Sequence, residues 1–117
     1  MRFLIALVGL AAGFGAHAAL AADGDQLQRG HVQFDHWCAP CHAGGLFEGH
    51  ELAGTVSLRL KYRGAKPPAL EDRTDLTAEL VAFYIRHGVG GMPFFRKTEI
   101  SDDEAAAIGA YLARNKK

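Results

Sequence analysis

Cysteine is almost absent from this chain: Cys38 and Cys41 are the only two among 117 residues. No second pair exists to complete a four-cysteine zinc site. Methionine is as scarce, since apart from the initiator only Met92 is available as a thioether donor. Positive charge shows no excess, with 13 basic against 13 acidic residues, which argues against a nucleic-acid binder that needs a basic footprint. No apolar run reaches the roughly 20 residues that cross a bilayer; the longest, from Phe3 to Ala16, falls short. Repeats and low-complexity tracts are missing as well.

What that first run does have is the make-up of an export signal. Arg2 precedes the apolar stretch, and small residues end it, so residues 1–21 read as a secretory signal peptide. The small-x-small rule allows cleavage after Ala18 or after Ala21, and a membrane anchor is the competing reading. Loss of Arg2 with the leader would leave a net charge of about −1. Residues 22–117 then form one domain, of a size that supports a single modest core, expected in the oxidising periplasm.

Along that domain, Leu27, Gly30, Phe34, Trp37, Cys38 and Cys41 recur at three- and four-residue steps, the stripe of an amphipathic helix over 26–41. Residues 43–66 are rich in glycine, and Val56, Leu58, Leu60 and Tyr62 alternate with polar residues. That pattern suggests a short extended piece on a loop-rich background. Pro67-Pro68 forbids helix locally. A helix is expected from Thr77 as N-cap, with Leu76 stapled onto Val81, to about His87, ending at Gly88. Ser101 and Glu104 form a capping box for a last helix whose inward face carries Ala105, Ile108, Tyr111 and Leu112.

The strongest chemical signal is Cys38-Ala-Pro-Cys41-His42. The C-x-x-C-H pattern downstream of a signal peptide is that of covalent haem attachment. Two intervening residues let both thiols reach the porphyrin vinyl groups while the adjacent imidazole faces the iron. A thioredoxin-type dithiol is the alternative, but that motif follows a strand in a βαβ unit, and here it closes a helix. For the second axial position Met92 is the candidate, between Gly90-Gly91, which permit close backbone approach, and Pro93, which stiffens the loop. A thioether paired with an imidazole raises the reduction potential. The competing reading of Met92 is core filling, and the competing ligands are His31, His36, His50 and His87.

The segments Gly30-x3-Phe34-x3-Cys38-x2-Cys41-His42, Ile85-Arg86-His87-Gly88-x3-Met92-Pro93 and Tyr111-Leu112 together resemble a class I cytochrome c, over nearly all of residues 22–117. The resemblance implies an all-α fold of three to four short helices around one covalent haem c, with a long loop-rich segment between the first and middle helices. It implies Cys38 and Cys41 as thioether attachments and His42 and Met92 as axial ligands. Gly30 and Phe34 should then cross Ile108 and Tyr111, and the carbonyl of Pro67 or Pro68 should accept from the His42 imidazole.

A narrower resemblance rests on Lys61-Tyr62, Pro68-Ala-Leu70, Arg73-Thr-Asp-Leu76 and the run from Met92 to Glu99. These segments are similar to the cytochrome subunits that take electrons from flavoprotein hydroxylases of para-substituted phenols, of the p-cresol and eugenol type. That resemblance implies a flavoprotein dehydrogenase as electron donor and a further redox protein as terminal acceptor, with no catalytic residue on this chain. The docking face would surround Pro93, Phe94 and Phe95, with Lys61, Arg63, Arg96 and Lys97 as rim charges. Arg63, Arg73 and Arg96 are candidates to pair with haem propionates, and Tyr62 to donate a hydrogen bond. The rival functional class is a haem sensor or peroxidase-like enzyme with an open distal site; a free thiol-disulfide module is the third.

Overall fold

The computed structural model describes the chain from Phe14 to Lys117, with side chains from Asp23 onward. Most of the expected signal peptide therefore lies outside the described residues. Five α-helices follow in order: α1 Phe14–Trp37, α2 Ala39–His42, α3 Ala53–Tyr62, α4 Ala78–His87 and α5 Asp102–Ala113, with a 3-10 turn at Leu70–Asp72. The architecture is the expected all-α fold.

The core forms where α1, α4 and α5 meet. Phe34, Ile85, Ile108 and Leu112 are essentially inaccessible, joined by Leu76, Val81, Ile100, Ala105 and Tyr111. Gly30 explains how α1 and α5 approach so closely: a Cβ there would lie 2.1 Å from the Ala107 carbonyl oxygen and 2.8 Å from the Tyr111 Cβ. Phe34 then meets Tyr111 with ring centroids 5.7 Å apart, the crossing expected between these residues. Gly109, on another part of α5, makes the matching approach to Ala78 of α4, where a Cβ would sit 2.9 Å from the Ala78 Cα.

Local signals set the ends of α4 and α5. Thr77 caps α4 by accepting from the Leu80 amide at 3.1 Å, and Gly88 ends it at φ 64°. The Ser101–Glu104 capping box is complete, with Glu104 N–H donating to Ser101 Oγ and Ser101 N–H to the Glu104 carboxylate at 2.8 Å. Around Tyr111, the hydroxyl donates to Glu71, and the Arg114 guanidinium lies 3.9 Å from the ring centre. Burial and then the Glu71 carboxylate push that phenol up to about 12.

Two expectations need correction. The alternating run from Val56 to Tyr62 is not extended but forms most of α3. Thr55, Leu58 and Tyr62 lie at helical spacing on its inner side, and Leu60, which a strand would place beside Leu58, is 62% exposed. Alternation at every second position overlaps a helical stripe at several residues, and packing chose the helix. The first helix also breaks at Cys38 and does not run to Cys41: Pro40 has no N–H to donate to the fourth residue before it, so α1 ends and α2 restarts as one tight turn.

Candidate haem site

Cys38, Cys41 and His42 all lie in or beside the single turn of α2. Cys38 N–H donates to the Phe34 carbonyl at 2.8 Å, so the turn hangs directly from α1, while Cys41 and His42 both donate back to the Cys38 carbonyl. The three-residue step puts both thiols on one side of that turn. Both are free, Cys38 half-buried and Cys41 exposed. Burial, reinforced by the neighbouring Cys41, pushes the Cys38 thiol up to about 12. Trp37, Cys38 and Ala39 pack against the main core, so the turn is anchored on its inner side.

The His42 imidazole is tucked inward, and burial lowers its pKa from the ordinary histidine value. Its Nδ1 is buried without a hydrogen-bond partner among the described residues. The acceptor expected at Pro67 or Pro68 is therefore not engaged. What lies against the ring is α3: a Cβ on Gly54 would fall 2.6 Å from the His42 Cε1 and 2.7 Å from its Nδ1. Thr55, only 3% exposed, donates to the Ala43 carbonyl at 2.8 Å. No local sequence signal distinguished Gly54 or Thr55, because both act across a loop of ten or more residues.

Met92 closes a tight turn after α4. Val89 N–H donates to the Met92 carbonyl at 3.1 Å and Met92 N–H to the Val89 carbonyl at 2.9 Å, with Gly90 at φ 56° between them. The chain then folds back on α4: Phe95 N–H donates to the Ile85 carbonyl at 2.7 Å and satisfies one of the helix's last acceptors. Phe95 meets Trp37 edge to face, ring centroids 5.6 Å apart, so the methionine loop and the attachment turn border the same core.

The rival histidines are engaged elsewhere or lie at the surface. His31 stacks on Tyr111 and approaches Asp35; His36 packs edge-on against Trp37; the His87 Nδ1 lies 2.7 Å from the Phe83 carbonyl, its ring stacked on Phe83; His50 is exposed in a turn with Phe47. Among the described residues, no group of three or more His, Cys, Asp or Glu side chains converges to hold a metal ion. The arginines offered for propionates are also mostly committed. Arg73 is buried and bidentate to Asp75 at 2.6 and 2.7 Å, with its guanidinium over the Tyr62 ring, and Arg96 pairs with Glu99.

Two thiols on one turn, an adjacent imidazole and a loop thioether make up the donor set that haem c uses. The apolar surface fits as well. Leu46 and Phe47 just after the turn, and Val89 and Phe94 flanking Met92, are large apolar side chains left more than half exposed, the kind of surface a porphyrin covers.

A family model described as cytochrome c oxidase, cbb3-type, subunit III, matches residues 25–112. The chain belongs to that family. It is a c-type cytochrome, with a domain that carries one covalently attached haem c and serves electron transfer. The matched residues run from the start of the amphipathic part of α1 to Leu112, and so take in the attachment turn, the methionine loop and the core that joins them. No curated protein and no solved structure matches the chain. As in other members of such a family, the cytochrome's work requires redox partners. No described helix is long and apolar enough to cross a membrane.

Proposed function

We propose that this cytochrome is a periplasmic one-electron carrier in which Cys38 and Cys41 attach the haem and His42 and Met92 ligate its iron. The observation that carries this reading is the shared core beneath the attachment turn and the methionine loop, bridged by Trp37 and Phe95. Bound haem c supplies a ferric/ferrous couple at a potential tuned by its axial ligands and surroundings. The protein's part is to hold the two ligand-bearing segments and to keep other donors away. Pro40 and the Cys38 carbonyl shape the turn that presents His42, and the glycines at 88 and 90 let the chain double back to present Met92.

The electron donor is a dehydrogenase, of the flavoprotein class that oxidises para-substituted phenols, and a second redox protein accepts the electron. This chain takes electrons one at a time and supplies no catalytic residue. Support comes from the segments around Tyr62, Arg73 and Met92 to Glu99, and from the exposed Phe94. Lys97 is paired with Asp102 and Arg96 with Glu99, so Lys61 and Arg63 are the stronger rim charges for steering an acidic partner.

The test is the visible spectrum of the exported ferric protein, wild type and Met92→Ala. A weak long-wavelength band of methionine-ligated ferric haem, lost in the variant, supports the assignment. Its absence from wild type, together with rapid cyanide or carbon monoxide binding at neutral pH, would favour a sensor or peroxidase-like protein.

A further inference from the structure

A histidine bound to haem iron is normally held in one orientation by a hydrogen bond to its second ring nitrogen. Here that nitrogen, His42 Nδ1, is buried without such a partner among the described residues. Contact with neighbouring groups then limits how far the ring can turn about its terminal torsion, which is soft.

Helix α3 is placed to do so. Gly54 sits so close that a Cβ would lie 2.6 Å from the ring Cε1, 2.7 Å from Nδ1 and 2.7 Å from the Cys41 carbonyl oxygen. The ring and the backbone of the attachment turn are thus both in contact with the same glycine. Beside it, the Thr55 hydroxyl does not bond within its own helix, as Ser57 does with the Ala53 carbonyl at 2.9 Å. It crosses to the attachment segment, donating to the Ala43 carbonyl at 2.8 Å with the Cys41 carbonyl at 3.4 Å. These two carbonyls bracket His42 in the chain. A polar side chain only 3% exposed is thereby spent on the backbone either side of the ligand.

We propose that Gly54 and Thr55 are positioning residues for the axial imidazole: Gly54 seats the ring by contact and Thr55 clamps the peptide units around it. The proposal rests on the reading of His42 as an iron ligand. It makes α3 part of the haem site, and it requires glycine at 54 for lack of space, since the residue is helical and needs no unusual φ.

The test uses the exported holoprotein as wild type, Gly54→Ala, Thr55→Val and Thr55→Ser. Two readouts follow the orientation and donor strength of the ring: the proton NMR hyperfine shifts of the haem methyls in the ferric protein, which depend on the plane of the axial imidazole, and the midpoint potential. Gly54→Ala and Thr55→Val should reorder or change the spread of the methyl shifts and move the potential, while Thr55→Ser, which keeps the hydroxyl, retains both wild-type values. Should Gly54→Ala fail to mature, the Thr55 pair decides. Wild-type shifts and potential in Thr55→Val, or identical changes in Thr55→Val and Thr55→Ser, overturn the proposal. Failure of the ligand assignment is read separately, in wild type alone, as the absence of iron-bound imidazole resonances assignable to His42; that result overturns both.

Discussion

Trp37 and Phe95 meet edge to face with ring centroids 5.6 Å apart, joining the residue before the first attachment cysteine to the third residue after Met92. His42 and Met92, the proposed iron ligands, are 50 residues apart in the chain, and this aromatic contact is a direct tie between the segments that carry them. Truncation to Phe95→Ala should cost about 2 kcal/mol, below the value for a fully buried phenylalanine because Phe95 is only half-buried. It should also speed cyanide binding to the ferric protein by loosening the methionine loop. Stopped-flow cyanide binding beside thermal unfolding checks both effects.

The crossing of α1 and α5 tolerates no side chain at position 30. Gly30→Ala would place a methyl 2.1 Å from the Ala107 carbonyl oxygen, a backbone atom that cannot swing aside. The expected loss is about 3 kcal/mol or more, seen as a lowered denaturation midpoint or as failure to accumulate holoprotein on export. Val32→Ala on the exposed side of the same helix should stay within about 0.5 kcal/mol of wild type.

Acid should weaken the link between Arg73 and Asp75. The Arg73 hydrogen bonds, aided by Lys66, hold the Asp75 carboxyl well below its ordinary value of 3.8. A carboxyl depressed on folding contributes stability fully above its unfolded pKa, and the contribution is lost as pH falls through the folded value. Wild type should therefore lose stability from about pH 4 downward more steeply than Asp75→Asn. At neutral pH that variant, which leaves Arg73 buried beside a neutral amide, should be less stable by about 2 kcal/mol. Thermal melts from pH 2 to 7 for both proteins provide the comparison.

Each attachment cysteine should be separable by mass and spectrum. Cys41→Ala should retain one thioether through Cys38, with the α band of the pyridine haemochrome shifted to longer wavelength by the unreacted vinyl group. The double variant Cys38→Ala/Cys41→Ala should carry no covalent haem, and its denatured mass should equal that of the polypeptide alone. A denatured wild-type mass without added haem would reject the covalent attachment.

Helix caps offer a stability test that leaves the haem site untouched. Thr77→Ala and Ser101→Ala each remove an oxygen that accepts a first-turn amide, at a cost of about 1 kcal/mol each. The two sites lie on different helices with no shared hydrogen bond, so the losses should add in the double variant. Chemical denaturation of the four proteins checks it.

What the sequence by itself determined is what neighbouring residues settle among themselves. Thr77 and Gly88 bound α4, Ser101 and Glu104 open α5, and Cys38, Cys41 and His42 spell the C-x-x-C-H pattern on one turn, because caps and a five-residue turn are short-range geometry. The pattern at Gly30 and Phe34 marked core positions, and the resemblance to class I cytochromes c implied that they cross the last helix, as they do. Tertiary structure alone decided the rest. The run from Val56 to Tyr62 satisfied both a strand and a helix pattern until α3 was packed against the attachment turn. The partners of Arg73 depended on where the chain after Pro68 travels. The contact of Gly54 with His42, and of Trp37 with Phe95, joins residues 12 and 58 positions apart, and the packing of a shared core sets such distances, which no local propensity encodes.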